Sequence, residues 1–152
     1  MTTIAFSADH AGYLLKNDLV KAARALGWEV LDLGVHEGHA VDYPDMAAAL
    51  AAALARGQAR FGVLVCGTGI GMAIAANRHP HVRAALCHDV TTARLAREHN
   101  DANVLALGAR IVGSEVARDC LRTFLTTEFA GGRHTRRVAK LSQAPLPEPQ
   151  AE

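Results

Sequence analysis

Aromatic residues are scarce in this sequence, at 5%, and a core built on stacked rings is thereby excluded. Alanine, valine and leucine supply most of the 50% that is hydrophobic, a composition suited to helices packed closely on a sheet. Charge of one sign is equally lacking. Sixteen basic and fifteen acidic residues leave a net charge of +1, so no global field would hold the chain on nucleic acid or on an anionic membrane. No apolar run approaches the ~18–20 residues of a membrane span, and the N-terminus MTTIAFSADHAG lacks a basic segment followed by a long apolar one. A cytoplasmic protein is the expectation. The three cysteines, Cys66, Cys87 and Cys120, form no CxxC pair, and an odd number argues against a disulfide framework. Eight histidines are present, but none falls in an HExxH or zinc-finger spacing, so no metal site is expected.

What is present is an alternation of short apolar runs with helical patterns. At 152 residues the chain is long enough to bury a real core in one domain. Thr3 to Ala8 reads as a strand, Tyr13 to Leu26 as a helix closed by Gly27, and Glu29 to Leu33 as a second strand. His36 to Pro44 reads as a loop, followed by an alanine- and leucine-rich helix from Met46 to Ala55. Phe61 to Cys66 is nearly continuous in apolar residues, as a central strand covered on both faces would be. A helix beginning at Met72, a strand over Val82 to Cys87, a helix over Thr91 to Glu98, a strand over Val104 to Leu107 and a helix over Ser114 to Phe129, with Ser114 as its cap, complete the pattern. Strands and helices alternating at this spacing predict an α/β fold: a Rossmann-like three-layer α/β/α sandwich around a five-stranded parallel sheet. Residues 1–142 form the expected domain, and the proline-rich stretch 143–152 reads as a flexible tail.

In open parallel sheets, ligands bind outside the carboxyl ends of the strands. Two loops of this chain fall there. Ser7-Ala8-Asp9-His10-Ala11-Gly12 sets a carboxylate beside an imidazole, with the alternative that Asp9 merely caps the following helix. Cys66-Gly67-Thr68-Gly69-Ile70-Gly71 lets backbone amides approach an anion, and its GxGxG spacing is not the dinucleotide pattern GxGxxG. A thiol directly before such a nest of amides would have its thiolate favoured and could act as a base; the alternative is an ordinary buried cysteine, the role read for Cys87 and Cys120. His99 and Asn100 close a helix of about ten residues, roughly 15 Å long, which runs away from that edge. They would meet Asp9 and Cys66 only in a site spanning two subunits. Otherwise His99 is a cation completing the helix macrodipole. Arg133, His134 and Arg137 lie in a basic run whose ordinary fate is a solvated face; the two preceding glycines and the lack of matching acids nearby favour an anion site.

Taken in order, Ser7–Gly12, Asp42-Tyr43-Pro44, Cys66–Gly71, Ile74–Arg78, His99–Leu105 and Gly131–His134 make the chain resemble the type B ribose-5-phosphate isomerase family from about Ile4 to Leu141. That resemblance implies an aldose–ketose isomerase acting through an enediolate without metal or organic cofactor. It implies Cys66 as the base at carbon, Thr68 beside the reacting carbons, and the amides of Gly67, Gly69, Ile70 and Gly71 around the enediolate oxygen. It further implies Asp9 and His99 in ring opening, Asn100 and Tyr43 on the sugar, and His10, Arg110, Arg133, His134 and Arg137 on the phosphate. Some members carry a glutamate just inside the helix after the glycine loop, where this chain has Met72, so the thiol branch is implied. A homodimer with a shared site is the implied assembly, with pairing into a tetramer left open. Similar isomerases act on galactose 6-phosphate, allose 6-phosphate or tetrulose phosphates, and a non-catalytic phosphometabolite-binding module or a zinc protein using Cys66 and histidines are the readings from other classes.

Overall fold

The computed structural model describes residues 2–143, so nearly all of the expected tail, from residue 144 on, lies outside the described residues. Five strands form one parallel sheet in the order β2-β1-β3-β5-β4: β1 Thr3–Ala8, β2 Glu29–Asp32, β3 Phe61–Cys66, β4 Ala84–Leu86 and β5 Val104–Gly108. The helices are α1 Tyr13–Ala25, α2 Tyr43–Ala55, α3 Ile70–Ala76, α4 Val90–Asn100, α5 Ser114–Thr126 and α6 Arg133–Leu141. No helix among the described residues is long and apolar enough to cross a membrane.

Alternation along the strands divides the core in two. Ile4, Phe6 and Ala8 of β1 with Phe61, Val63 and Val65 of β3 face Leu19 and Val20 of α1, Ala93 of α4 and Leu121 and Phe124 of α5. Ala5, Leu64 and Cys66 point the other way, against Leu50 and Ala51 of α2 and Met72 and Ala76 of α3. These are the three expected layers. All six residues of β3 are buried, which explains why this strand reads as a continuous apolar run. The chain leaves β1 towards β2 on one side and returns to β3 on the other, so the order reverses between β1 and β3. Crevices form at such a reversal.

Several element boundaries differ from the sequence reading, each for a local reason. Helix α2 starts at Tyr43 rather than Met46, because Pro44 sits in the first turn, where no backbone N–H is needed, and Asp42 precedes it in extended conformation. Strand β4 is shorter than expected, since the Arg83 amide is taken by Asn103 Oδ1 at 2.7 Å. Helix α5 stops at Thr126 because the Thr126 and Thr127 hydroxyls donate to the carbonyls of Arg122 and Thr123, while Thr127 turns extended. Its N-cap is Gly113, not Ser114, and no side chain caps it. The basic run beyond Gly132, read only as charge, is a helix, α6.

Candidate active site

The first strand ends in a tight turn built by its own carboxylate. Asp9 is buried, and its Oδ1 accepts the amides of Ala11 at 2.9 Å and Gly12 at 3.1 Å. Asp9 therefore closes the turn before α1 rather than capping the helix itself, whose N-cap is Gly12, and it also lines the cleft at this edge. His10 is exposed, and its Nδ1 accepts the Val41 amide at 3.4 Å.

Alternation in β3 aims Cys66 at the α2/α3 side, and the glycine loop then wraps its sulfur. The Gly69 amide donates to Sγ at 3.1 Å, and the Ile70 amide donates to Thr68 Oγ1 at 3.2 Å. Gly69 has φ +77, a conformation open to glycine, and a Cβ there would come within 2.5 Å of Leu86 Cδ1 and 2.9 Å of the Leu107 carbonyl carbon. The next loop clamps the first: Ala109 donates to the Cys66 carbonyl at 2.8 Å and Arg110 to that of Gly67 at 2.9 Å. That clamp lays the Arg110 guanidinium along Gly67, where a Cβ would meet Nη1 at 3.2 Å.

Asp9, His10, Tyr43, Cys66, Gly67, Thr68, Ile70, Gly71 and Arg110 thus border one open cleft of about 420 Å³ at the carboxyl ends of β1 and β3. Gly69 lies beneath it, buried. Cys66 is only 5% exposed yet reaches the cleft wall, whereas Cys87 and Cys120 are sealed in the core. Burial pushes the Cys87 thiol up, and burial with the nearby Cys87, Asp89 and Asp119 pushes Cys120 up to about 11. Sequence reasoning missed Ala11 and Ile74 as cleft-lining residues. Ile74 was findable from its spacing: it stands four residues after Ile70, one turn along the same face of α3.

The other expected residues form a separate group. His99 and Asn100 end α4, and with His134 and Arg137 of α6 they line a second cavity of about 290 Å³ that shares no lining residue with the first. The His99 and His134 rings stack, with centroids 4.5 Å apart and planes 16° from parallel. Desolvation, then the charges of His99, Arg133 and Arg137, hold His134 below the ordinary imidazole value. Arg133 opens α6 and is exposed outside both cavities. A single copy of the chain therefore holds the expected residues in two separate groups. Among the described residues, no group of three or more histidines, cysteines or carboxylates is placed to hold a metal ion.

This arrangement has relatives. The sequence pattern of the Ribose/Galactose Isomerase family matches residues 4–141. Ribose-5-phosphate isomerase B of Escherichia coli is 42% identical over 142 residues, 93% of this chain and 95% of that one. D-erythrulose-4-phosphate isomerase of Pectobacterium atrosepticum is also 42% identical, over 93% of each chain. The structure of type B ribose 5-phosphate isomerase from Trypanosoma brucei superposes with a TM-score of 0.90 at 48% identity, covering 93% of this chain and 98% of that one. A family pattern that spans residues 4–141, and a backbone that follows a solved member almost end to end, place this chain in the ribose/galactose isomerase family.

Proposed function

We propose that the chain interconverts ribose 5-phosphate and ribulose 5-phosphate, with Cys66 as the base at carbon and with neither metal nor organic cofactor. The observation that carries this reading is the Cys66 sulfur, held at a cleft wall by the Gly69 amide and surrounded by a loop of further main-chain donors. In the proposed step the C2–H bond of the open-chain aldose breaks and its proton passes to sulfur. The electron pair becomes the C1–C2 double bond, and the C1 carbonyl oxygen takes up a proton. Sulfur then returns its proton to C1 while the C2 hydroxyl gives one up, leaving the carbonyl at C2.

With Gly69 on sulfur and Ile70 on the Thr68 hydroxyl, the amides proposed for the enediolate oxygens are those of Gly67, Thr68 and Gly71. Asp9 and His99 are proposed for ring opening, and Asn100 and Tyr43 for holding the sugar. Phosphate is assigned to His10, Arg110, Arg133, His134 and Arg137. Because the two groups are apart in one chain, the working unit is proposed to be a homodimer in which the cleft of one copy faces the His99 group of the other.

Deuterium exchange at C2 in heavy water tests the chemistry. Cys66→Ala should abolish both exchange and turnover, and Cys66→Ser should leave phosphate affinity within about twofold, since the cysteine touches carbon rather than phosphate. A binding module would show no exchange in the unaltered protein. A second reading keeps the mechanism and changes the sugar, and the equal 42% identity to an erythrulose-phosphate isomerase supports it. The ratio of kcat/KM for ribose 5-phosphate against four- and six-carbon phosphates separates the two.

A further inference from the structure

Arg97 is one of four buried polar or charged side chains among the described residues, 2% exposed, on the face of α4 turned away from the His99 cavity. Burying a guanidinium is expensive unless its donors are all used. Three of its five N–H donors are used here, on two different segments of the chain. Nη1 donates to Asp101 Oδ1 at 2.9 Å and to the Ala102 carbonyl at 2.6 Å, while Nε donates to the Thr127 carbonyl at 3.2 Å. The plane of the guanidinium also lies over Phe61, 4.8 Å from the ring centroid, and 5.7 Å from that of Phe124.

The first two bonds fix the end of α4. Asp101 takes a left-handed conformation, φ 44, which the helix needs in order to stop at Asn100, and Arg83 holds the same residue from the other side. The third bond fixes the start of the α5–α6 connection, and the Ala130 amide donates to the Glu98 carbonyl at 3.1 Å along the same seam. One side chain thus joins the turn that carries His99 and Asn100 to the segment that leads into His134 and Arg137.

We propose that Arg97 is a positioning residue that sets the spacing between α4 and α6, and with it the geometry of the His99, Asn100, His134 and Arg137 half-site. The proposal deepens the functional reading above, and rests on it only for what that half-site binds. A lysine at this place keeps the charge but lacks a planar fork able to bridge both segments. Arg97→Lys should weaken binding of inorganic phosphate about tenfold, and raise KM for ribose 5-phosphate by more than it lowers kcat. It should also move the imidazole resonances of His99 and His134, whose stacked rings report their own spacing. Should Arg97→Lys fail to fold, Asp101→Asn loosens the same clamp from its exposed end and should shift the same resonances to a smaller degree.

Leu19→Ala, a core variant on α1, is the control for instability alone. Resonances and phosphate affinity unchanged in both clamp variants, or changed equally in Leu19→Ala, would overturn the proposal. The imidazole resonances decide it independently of turnover. A protein that never isomerised ribose 5-phosphate would defeat the functional reading, while displaced resonances in Arg97→Lys would still support the clamp.

Discussion

Individual residues in this chain are chosen where two demands meet at one atom. Gly69 must adopt φ +77, leave room for Leu86 and the Leu107 backbone, and aim its amide at the Cys66 sulfur. An alanine there would strain the left-handed backbone by about 1–2 kcal/mol and overlap its neighbours as well. Gly69→Ala should therefore lower stability by about 2–3 kcal/mol in urea titration and lower kcat at least tenfold, because the loop must move to relieve the overlap. A destabilised variant with normal kcat would remove this amide from the chemistry. The other thiols carry a different expectation. Cys120 titrates near the ordinary 9.0 when unfolded and at about 11 when folded, so its neutral form stabilises the fold fully below pH 9. That contribution is lost as pH rises from 9 through about 11. The urea midpoint should fall across this window, and less steeply in Cys120→Ala.

At the scale of elements, what the sequence made legible was whatever a single periodicity controls. β1 and β3 emerged with their full bounds because burial on both faces leaves a short, largely apolar run ending at an acidic turn after β1 and a glycine turn after β3. The GxGxG loop was legible for the same reason: close backbone approach leaves glycine as the residue that fits. Ends set by side-chain bonds to backbone were not legible. Nothing in the letters says that Asn103 takes the Arg83 amide or that Thr126 and Thr127 turn back on α5. Helix α6 was hidden because its four basic residues dominate nine positions, while Val138 and Leu141, three apart on one face, are its main apolar signal. Of the candidate site, Asp9, His10, Cys66 and the glycine loop could be placed from strand ends, whereas Tyr43 and Arg110 came only from the family resemblance, and the stacking of His99 on His134 depends on a helix that sequence reading had taken only as charge.

The molecule as a whole is organised around a separation. Cys66 stands at the carboxyl edge of the sheet, and α4 carries His99 away from it over eleven residues, about 16 Å. If both act on one sugar, a copy of the chain cannot complete its own site, and a two-fold pair must supply each cleft with the other's histidine. Subunit mixing tests this directly. Cys66→Ala and His99→Asn should each be inactive alone. After they are unfolded together and refolded, random pairing makes about half of the dimers mixed, each with one intact and one doubly altered site. Activity should return to about a quarter of the unaltered protein's at equal chain concentration. Were both residues used within one chain, no pairing could restore a site, and the mixture would stay as inactive as its parts.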